Sequence, residues 1–217
     1  EGGQIVSFHS YCGGLVAPES MDNPWGYKFS WNPRNVILAG QGTARYQENG
    51  ELKFIPYPRL FKQAGTIRFD DQSMWDAYPN RDSLAYKEIY GLEDAETIVR
   101  GTLRYKGYCE AWNIFVQMGI TDDSYTFPLR EGSTYREFAS AFLPGTGLDF
   151  SARIQNLSNG GFSKEAIDKV FWTGLFDERP IGLERATPAM ILQALLEEKW
   201  RLQEHDKDLV LMQHQIG

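Results

Sequence analysis

The segment from residue 10 to residue 34 constrains the fold of this chain more than any other part of the sequence. It contains SYCGGLVAPE at residues 10–19 and NPWGYKFSWNPR at residues 23–34. Neither stretch has the apolar periodicity of a helix or a strand, and glycine, proline and small hydroxyl residues are frequent in both. We therefore predict that turns give this segment its shape, and turns carry functional residues more often than core elements do.

Composition excludes several classes of function. The chain has 217 residues, of which 42% are hydrophobic, so it can form one sizeable domain or two small ones. Its net charge of -7 and its lack of a Lys/Arg run argue against a nucleic-acid-binding protein. No apolar stretch is long enough to cross a membrane or to serve as a signal peptide, so we expect a cytoplasmic location and no membrane partner. Cys12 and Cys109 are expected to be reduced thiols.

Periodicity and turn residues predict strands at both ends of the chain and helices in its second half. The predicted strands span residues 4–9, 44–47, 51–55, 66–69, 97–105 and 208–214, with a tight hairpin turn at Asn49-Gly50. The predicted helices span residues 83–90, 134–143, 150–157, 163–176 and 187–205, and a further helix begins near Tyr108. Thr187 is the predicted N-cap of the last helix, with Pro188 as its first residue.

The sequence has no recognisable metal-binding or dinucleotide-binding motif. Its three histidines are far apart, and the acidic pairs at residues 70–71 and 122–123 are typical of solvated loops. The glycine pairs at residues 40–42 and 145–147 lack the third glycine of the dinucleotide fingerprint. We expect neither a bound metal nor a nucleotide-binding domain within this chain.

Two interpretations are open for Cys12, Gly13 and Gly14. The glycines would let a ligand approach the backbone and could direct amide N–H groups at an anion, or they could form only a tight turn. Cys12 would be a nucleophile if a nearby cation lowered its pKa, but no catalytic partner is apparent. A packed or ligand-contacting thiol is the favoured interpretation.

The arginines near the middle of the chain suggest a receptor for carboxylates. Arg100 and Arg104 are four residues apart, so on a strand they share one face with Thr102 between them. Arg81 precedes the short predicted helix. Because a guanidinium binds a carboxylate in a bidentate fashion, an arginine-lined cleft fits a ligand with several carboxylates. Internal salt bridges with the 29 acidic residues are the alternative.

Several sequence blocks carry a resemblance to one enzyme family. They are SYCGGLVAPE at Ser10, NPWGYKFSWNPR at Asn23, YPNRDS at Tyr78, IYGL at Ile89, RGTLRYKGY at Arg100 and KDLVLMQH near the C-terminus. In this order and spacing they resemble saccharopine dehydrogenase of the glutamate-forming type. The helical half, from about residue 121 to residue 204, is similar to the family only loosely. Val16 and Trp25 depart from the family pattern, which expects proline and leucine there.

The resemblance implies an α+β fold. Its elements would be a mixed, largely antiparallel sheet with helices on one face, of the glyceraldehyde-3-phosphate-dehydrogenase-like C-terminal type, and an inserted all-helical lobe. Residues 1–105 and 206–217 would form the substrate-binding and dimerisation domain, and residues 106–205 the helical insertion. The family's Rossmann cofactor domain would be absent from this chain, so the chain would be an enzyme fragment that forms a homodimer.

The resemblance also implies an activity. The whole enzyme would oxidise saccharopine to glutamate and aminoadipate semialdehyde, or run the reverse reaction, with NADP or NAD bound mainly by the absent domain. The residues that match substrate contacts in the family are Cys12, Gly13, Gly14, Arg81, Thr102, Leu103 and Arg104. Those that match the meeting point of substrate and cofactor are Phe29, Ser30 and Trp31.

No general base follows from the sequence, although Tyr11 and Lys106 are eligible by residue type. The alternatives to saccharopine dehydrogenase are a carboxynorspermidine-type dehydrogenase and a non-catalytic ligand-binding or dimerisation module. Because both Arg81 and Arg104 are present, we favour saccharopine, which has more carboxylates than carboxynorspermidine.

Overall fold

The chain folds into two units with different secondary structure. A computed structural model describes residues 3–38, 41–69 and 71–217. One unit, the sheet unit, comprises Glu1–Ser20, Gly40–Cys109 and Lys207–Gly217. The other, the helical unit, comprises Met21–Ala39 and Glu110–Asp206. The predicted division differs chiefly in residues 21–39, which it assigned to the same domain as the first strands, and it also placed residues 106–109 in the helical insertion and residue 206 in the sheet domain.

Within the described residues, the sheet unit contains one seven-stranded sheet. The strands are β1 Ser7–Val16, β2 Thr43–Glu48, β3 Glu51–Pro56, β4 Gly65–Arg68, β5 Met74–Pro79, β6 Thr97–Tyr105 and β7 Asp208–Ile216. Their order is β3-β2-β6-β1-β7, while β5 also pairs with β6 and carries β4. Strands β1 and β6 are parallel, and the remaining pairs are antiparallel. The predicted mixed, largely antiparallel sheet with helices is confirmed.

The helices are mostly short. They are α1 Pro33–Ile37, α2 Tyr57–Leu60, α3 Tyr108–Met118, α4 Tyr135–Phe142, α5 Phe150–Gln155, α6 Lys164–Trp172 and α7 Pro188–Lys199. Three-residue 3-10 turns occur at Pro18–Ser20 and Leu84–Tyr86. None of these helices in the described part of the chain has the length and apolar character needed to cross a bilayer.

The predicted turn at residues 10–14 is wrong, because β1 runs without interruption from Ser7 to Val16. The glycines serve close packing between strands instead. A Cβ added to Gly13 would lie 2.9 Å from the carbonyl oxygen of Leu103 and 3.0 Å from its Cβ. On the neighbouring strand, a Cβ on Gly101 would lie 2.5 Å from Cδ1 of Tyr11. Glycine, which has no Cβ, is needed where the atoms of a neighbouring strand approach this closely.

Most other predicted elements of the sheet unit are confirmed. The hairpin between β2 and β3 turns at Asn49 and Gly50, whose φ angles are 49° and 80°. These positive values are typical of a type I′ turn. The predicted helix at residues 83–90 is instead the short 3-10 turn followed by turns that end at Gly91, with φ 64°. Strand β5 was not predicted because its burial pattern does not alternate: Trp75, Asp76, Ala77 and Tyr78 are all buried.

The sheet has two faces that differ in chemistry. On the Leu103 face, Leu103 packs in an apolar cluster with Leu15, Trp75 and Ala77. The opposite face carries Cys12 and is called the Cys12 face; towards the start of β1 it is covered by a second cluster of Leu84, Leu92, Ala95 and Ile98 with Phe8. Because side chains alternate along a strand, Ser10 and Cys12 of β1 share this face with Arg100, Thr102 and Arg104 of β6.

Aromatic packing explains why residues 21–39 belong to the helical unit. The ring centroid of Trp25 lies 5.1 Å from that of Trp200 and 5.6 Å from that of Phe115. Trp25 Nε1 also donates a hydrogen bond of 2.7 Å to the carbonyl of Lys169. These contacts fix the NPWGYKFSW segment among helices α3, α6 and α7.

The N-terminal cap of the last helix is as predicted. Thr187 caps α7 by accepting a hydrogen bond from the Met190 amide, with Pro188 as the first residue, which confirms both predictions. Thr134 and Glu137 form a capping box at the start of α4. Helices α6 and α7 end earlier than predicted, and a glycine with φ 81° at Gly174 follows α6.

Replacing Gly13 with alanine tests the close approach of β1 and β6. We expect Gly13→Ala to lower the free energy of unfolding by about 1–3 kcal/mol, because the new Cβ would overlap Leu103. Gly65→Ala is the control, since a Cβ there meets nothing within 4 Å, and it should change stability by less than about 0.5 kcal/mol. Equal effects of the two variants in chemical denaturation would contradict this account of the glycine.

Candidate functional site

The candidate site in the sheet unit is organised by the register of β1 against β6. Cys12 lies opposite Thr102, and Ser10 lies opposite Arg100. On the other side of β6, Tyr78 of β5 lies opposite Thr102, and Asp76 lies opposite Arg104. Three adjacent strands therefore contribute thiol, hydroxyl, guanidinium and carboxylate groups to one face.

The second half of β1 contains Cys12, Gly13 and Gly14. Cys12 is exposed and its thiol is not in a disulfide, while Cys109 is free and buried. Gly13 is buried against Leu103, whereas Gly14 is exposed. A ligand on the Cys12 face would therefore meet the Cys12 side chain and the backbone of Gly14 directly.

Arg104 is nearly buried, with 7% of its surface exposed. Its Nη1 donates a hydrogen bond of 2.9 Å to the Leu103 carbonyl, and its guanidinium carbon lies 5.3 Å from the ring centroid of Tyr108. A guanidinium held against an aromatic face has a restricted orientation and is already partly desolvated. Arg104 can therefore bind an anion without a large loss of side-chain entropy.

Asp76 connects this strand to the start of α3. Its Oδ2 accepts hydrogen bonds from the amides of Gly107 and Cys109, and its Oδ1 lies 3.2 Å from Lys106 Nζ. Burial, together with the charge of Asp76, raises the pKa of the Cys109 thiol well above its ordinary value. Cys109 is therefore a neutral packing residue.

Leu103 differs from the other predicted site residues. Its side chain is fully buried and belongs to the cluster on the opposite face of the sheet. Only its backbone can reach a ligand on the Cys12 face, and its carbonyl already accepts the Arg104 hydrogen bond.

Arg81 lies at a strained corner of the backbone. Its φ angle is 48°, in the left-handed region that non-glycine residues seldom adopt. The corner is held by hydrogen bonds from the Arg45 amide to the Arg81 carbonyl, at 2.7 Å, and from the Asn80 amide to the Arg100 carbonyl, at 2.8 Å. One side of β6 pairs first with β2, at Ile98, and then with β5, from Gly101 onwards. The Arg81 corner lies between these two pairings. Strain of this kind is frequent at functional sites.

The remaining predicted site residues lie in the helical unit. The Phe29 amide donates a hydrogen bond of 2.8 Å to the Trp200 carbonyl, and its ring centroid lies 5.4 Å from that of Trp200. Ser30 is half-buried, and 70% of Trp31 is exposed. The structure therefore separates the predicted residues into two sets, one in each unit.

Lys28, in the same segment, is a charged residue that the sequence analysis missed. It is 2% exposed, and its Nζ lies 2.7 Å from Asp206 and 2.8 Å from Asp22. Burial alone would lower the pKa of Lys28, but the two carboxylates outweigh it and raise that pKa. Lys28, followed by the Gln203 amide, lowers the pKa of Asp206. The sequence signal that could have indicated a buried charge is a single lysine within the aromatic stretch WGYKFSW.

The two residues considered as bases are engaged elsewhere. Burial, then the charge of Glu48, raises the pKa of Tyr11, whose ring lies on the Leu103 face over Gly101. Lys106 donates to Thr66 at 2.7 Å and pairs with Asp76. In residues 3–38, 41–69 and 71–217, His, Cys, Asp and Glu form no group of three or more that could hold a metal ion.

Comparison with known proteins identifies the family. The profile described as "Saccharopine dehydrogenase C-terminal domain" matches residues 1–217. The chain belongs to this family. The family resemblance predicted from the motifs is thereby confirmed.

Relatives and a solved structure agree with this family assignment. The chain is 37% identical to "Saccharopine dehydrogenase [NADP(+), L-glutamate-forming]" of Schizosaccharomyces pombe, over 99% of this chain and 50% of that protein. It is 32% identical to mitochondrial alpha-aminoadipic semialdehyde synthase of Mus musculus, over 100% of this chain and 24% of that protein. The apo structure of saccharopine dehydrogenase (L-Glu forming) from Saccharomyces cerevisiae superposes with a TM-score of 0.82 at 33% identity, over 100% of this chain and 50% of that one.

The covered fraction of each relative shows how much of a family member this chain corresponds to. It covers about half the length of the fungal relatives. The family's C-terminal domain is therefore the part described here.

The Lys28–Asp206 pair predicts an acid dependence of stability. The ordinary pKa of an aspartate, 3.8, is lowered in folded Asp206, so its contribution is present above about pH 4 and is lost as the pH falls through the lowered value. We expect Asp206→Asn to lower the melting temperature by a constant amount between about pH 5 and about pH 9, and by progressively less below about pH 4.

Asp94→Asn, at an exposed position of the sheet unit, is the matched control and should leave the melting curve unchanged at every pH. A melting-temperature difference for Asp206→Asn that persists undiminished in strong acid would contradict the proposed role of its charge.

Proposed function

We propose that this chain is the substrate-binding part of an NADP- or NAD-dependent saccharopine dehydrogenase. The whole enzyme would oxidise saccharopine to glutamate and aminoadipate semialdehyde, or catalyse the reverse reaction, in lysine metabolism. The observation that carries the proposal is the β1–β6 register. It brings Cys12 and Thr102 to one face of the sheet together with Arg100 and Arg104. The names of the fungal relatives favour NADP as the cofactor.

The chemistry of saccharopine fits a face of this kind. The molecule carries three carboxylates and a secondary amine between two amino-acid halves. Guanidinium groups recognise carboxylates through paired, charge-assisted hydrogen bonds. Arg81 and Arg104 are the arginines assigned here to carboxylates, with the Thr102 hydroxyl and the Leu103 backbone as further contacts. Cys12, Gly13 and Gly14 would contact the substrate beside the reacting carbon–nitrogen bond.

The chain's role in the reaction is orientation. A bound nicotinamide cofactor would supply the acceptor for the hydride that leaves the carbon of the substrate's carbon–nitrogen bond. The amine loses a proton, and water then adds to the resulting carbon–nitrogen double bond and releases glutamate and the aldehyde. Arginines that hold the carboxylates would orient this carbon–nitrogen bond for reaction, which lowers the entropic cost of alignment. Phe29, Ser30 and Trp31 would line the place where substrate and nicotinamide meet.

A homodimer of the whole enzyme, located in the cytoplasm, is also part of the proposal. Strand β7 carries exposed apolar side chains at Val210, Met212 and Ile216. Apolar area of this kind on a sheet supports a protein partner. Light scattering of the full-length protein should give twice the monomer mass, and a monomer at high micromolar concentration would overturn the dimer.

The function is tested by assaying the full-length protein that contains this chain. We expect reduction of NADP or NAD when saccharopine is supplied, with glutamate and aminoadipate semialdehyde as products. Carboxynorspermidine is the competing substrate to include. Turnover of carboxynorspermidine but not saccharopine would favour the related dehydrogenase, and binding of saccharopine without turnover would favour a non-catalytic module.

Arg81→Gln tests the assignment of the corner residue. Removing a charge-assisted hydrogen bond to a carboxylate should raise the KM for saccharopine by roughly 10- to 100-fold. The KM for the nicotinamide cofactor should not change. Arg59→Gln is the matched control, because Arg59 is an exposed arginine in α2 of the same unit. Unchanged kinetics for Arg81→Gln would remove Arg81 from the site.

A further inference from the structure

Arg100 is an arginine on the Cys12 face to which the proposed function gives no role. Arg100 lies two residues before Thr102 on β6 and opposite Ser10 on β1. It is half-buried, and its guanidinium carbon lies 3.6 Å from the ring centroid of Tyr86. This distance places the planar guanidinium directly against the ring.

The backbone of Arg100 is fixed from both sides by the corner that contains Arg81. The Arg100 amide donates a hydrogen bond of 2.9 Å to the hydroxyl of Ser83, which is fully buried. The Arg100 carbonyl accepts a hydrogen bond of 2.8 Å from the Asn80 amide. Both the main chain and the side chain of Arg100 are therefore held before any ligand arrives.

The charge of Arg100 is not used within the described part of the chain. Across residues 3–38, 41–69 and 71–217, no ion pair or hydrogen bond involves its guanidinium; its described contact is the Tyr86 ring. The nearby carboxylate of Asp82 is occupied by Arg45 and by the amides of Leu84 and Ala85. A half-buried, oriented guanidinium with five available N–H donors is suited to bind an anion.

We propose that Arg100, held by Tyr86, is a specificity-determining residue that binds one terminal carboxylate of the substrate. This inference rests on the proposed function. Residues four apart on a strand are separated by about 13 Å, so Arg100 and Arg104 are spaced for carboxylates at opposite ends of an extended molecule, with Thr102 between them. Tyr86 is a positioning residue, since it acts on the substrate through Arg100.

The spacing gives Arg100 a role that Arg104 does not duplicate. A ligand with carboxylates at one end only can engage one of the two arginines, whereas saccharopine can engage both. The pair therefore selects for substrates that carry a carboxylate at each end and are long enough to reach from one guanidinium to the other.

The test measures binding and turnover in the full-length protein. Isothermal titration calorimetry with saccharopine should show an affinity roughly 10- to 100-fold lower for Arg100→Gln than for the wild type. The KM for saccharopine should rise by the same factor, while the KM for the cofactor stays unchanged. Glutamate and lysine, as probes of the two halves, should reveal weakened binding for one half only.

Two further variants separate carboxylate binding from a merely structural role. Tyr86→Leu keeps the charge but removes the ring, and should raise the KM for saccharopine by roughly 3- to 10-fold with kcat little changed. Arg100→Lys keeps the charge without the planar fork and should restore part of the affinity lost in Arg100→Gln. Arg59→Gln again serves as the control and should bind saccharopine like the wild type.

The outcomes distinguish this inference from the proposed function. If the wild type turns over saccharopine and Arg100→Gln matches it in affinity and KM, Arg100 is not a substrate residue and the proposed function stands. Loss of affinity without partial rescue by Arg100→Lys, together with a lowered melting temperature, would assign Arg100 a structural role and overturn the inference. A wild type that neither binds nor oxidises saccharopine would overturn both.

Discussion

The parallel pairing of β1 with β6 is the constraint on which the sheet unit and its candidate site depend. The six-residue register from Ser7↔Thr97 to Cys12↔Thr102 sets which side chains share a face. A shift of one residue would move Ser10 and Cys12 of β1 to the opposite face from Arg100, Thr102 and Arg104 of β6. Glycine fixes this register sterically, because Gly13 meets Leu103 and Gly101 meets Tyr11 at distances that leave no room for a Cβ.

The same pairing explains why a strained corner lies beside the site. The side of β6 that does not pair with β1 is shared by two strands, with β2 pairing at Ile98 and β5 pairing from Gly101 onwards. The chain that leaves β5 must turn sharply in this gap, and Arg81 takes a positive φ there. Backbone hydrogen bonds to Arg45 and Arg100 stabilise that turn. Strain and an arginine-rich surface therefore arise from one feature of the topology.

Much of this fold follows from sequence, and the exceptions have physical reasons. The Asn49-Gly50 hairpin and the Thr187 cap were predicted because their chemistry is local. Strand β5 was not, because burial on both faces removes alternation. The Gly13-Gly14 pair suggested a turn, since the sequence does not reveal that the neighbouring strand β6 packs closely against Gly13. The spacing of Arg100 and Arg104 predicted a shared face correctly, but the Tyr86 ring beneath Arg100 comes from a separate turn of the chain, which the spacing on β6 does not reveal.

The way in which arginines are held separates two roles within an acidic chain. With 29 acidic residues available, an arginine readily finds a carboxylate, as Arg34 does with Asp123 and Arg179 does with Glu198. A carboxylate neutralises the guanidinium and occupies its donors, so such pairs are poor receptors for an incoming anion. Arg100 lies against a tyrosine ring instead. An aromatic face orients a guanidinium while leaving its charge and its edge N–H groups for a ligand, so the mode of support itself marks arginines suited to binding.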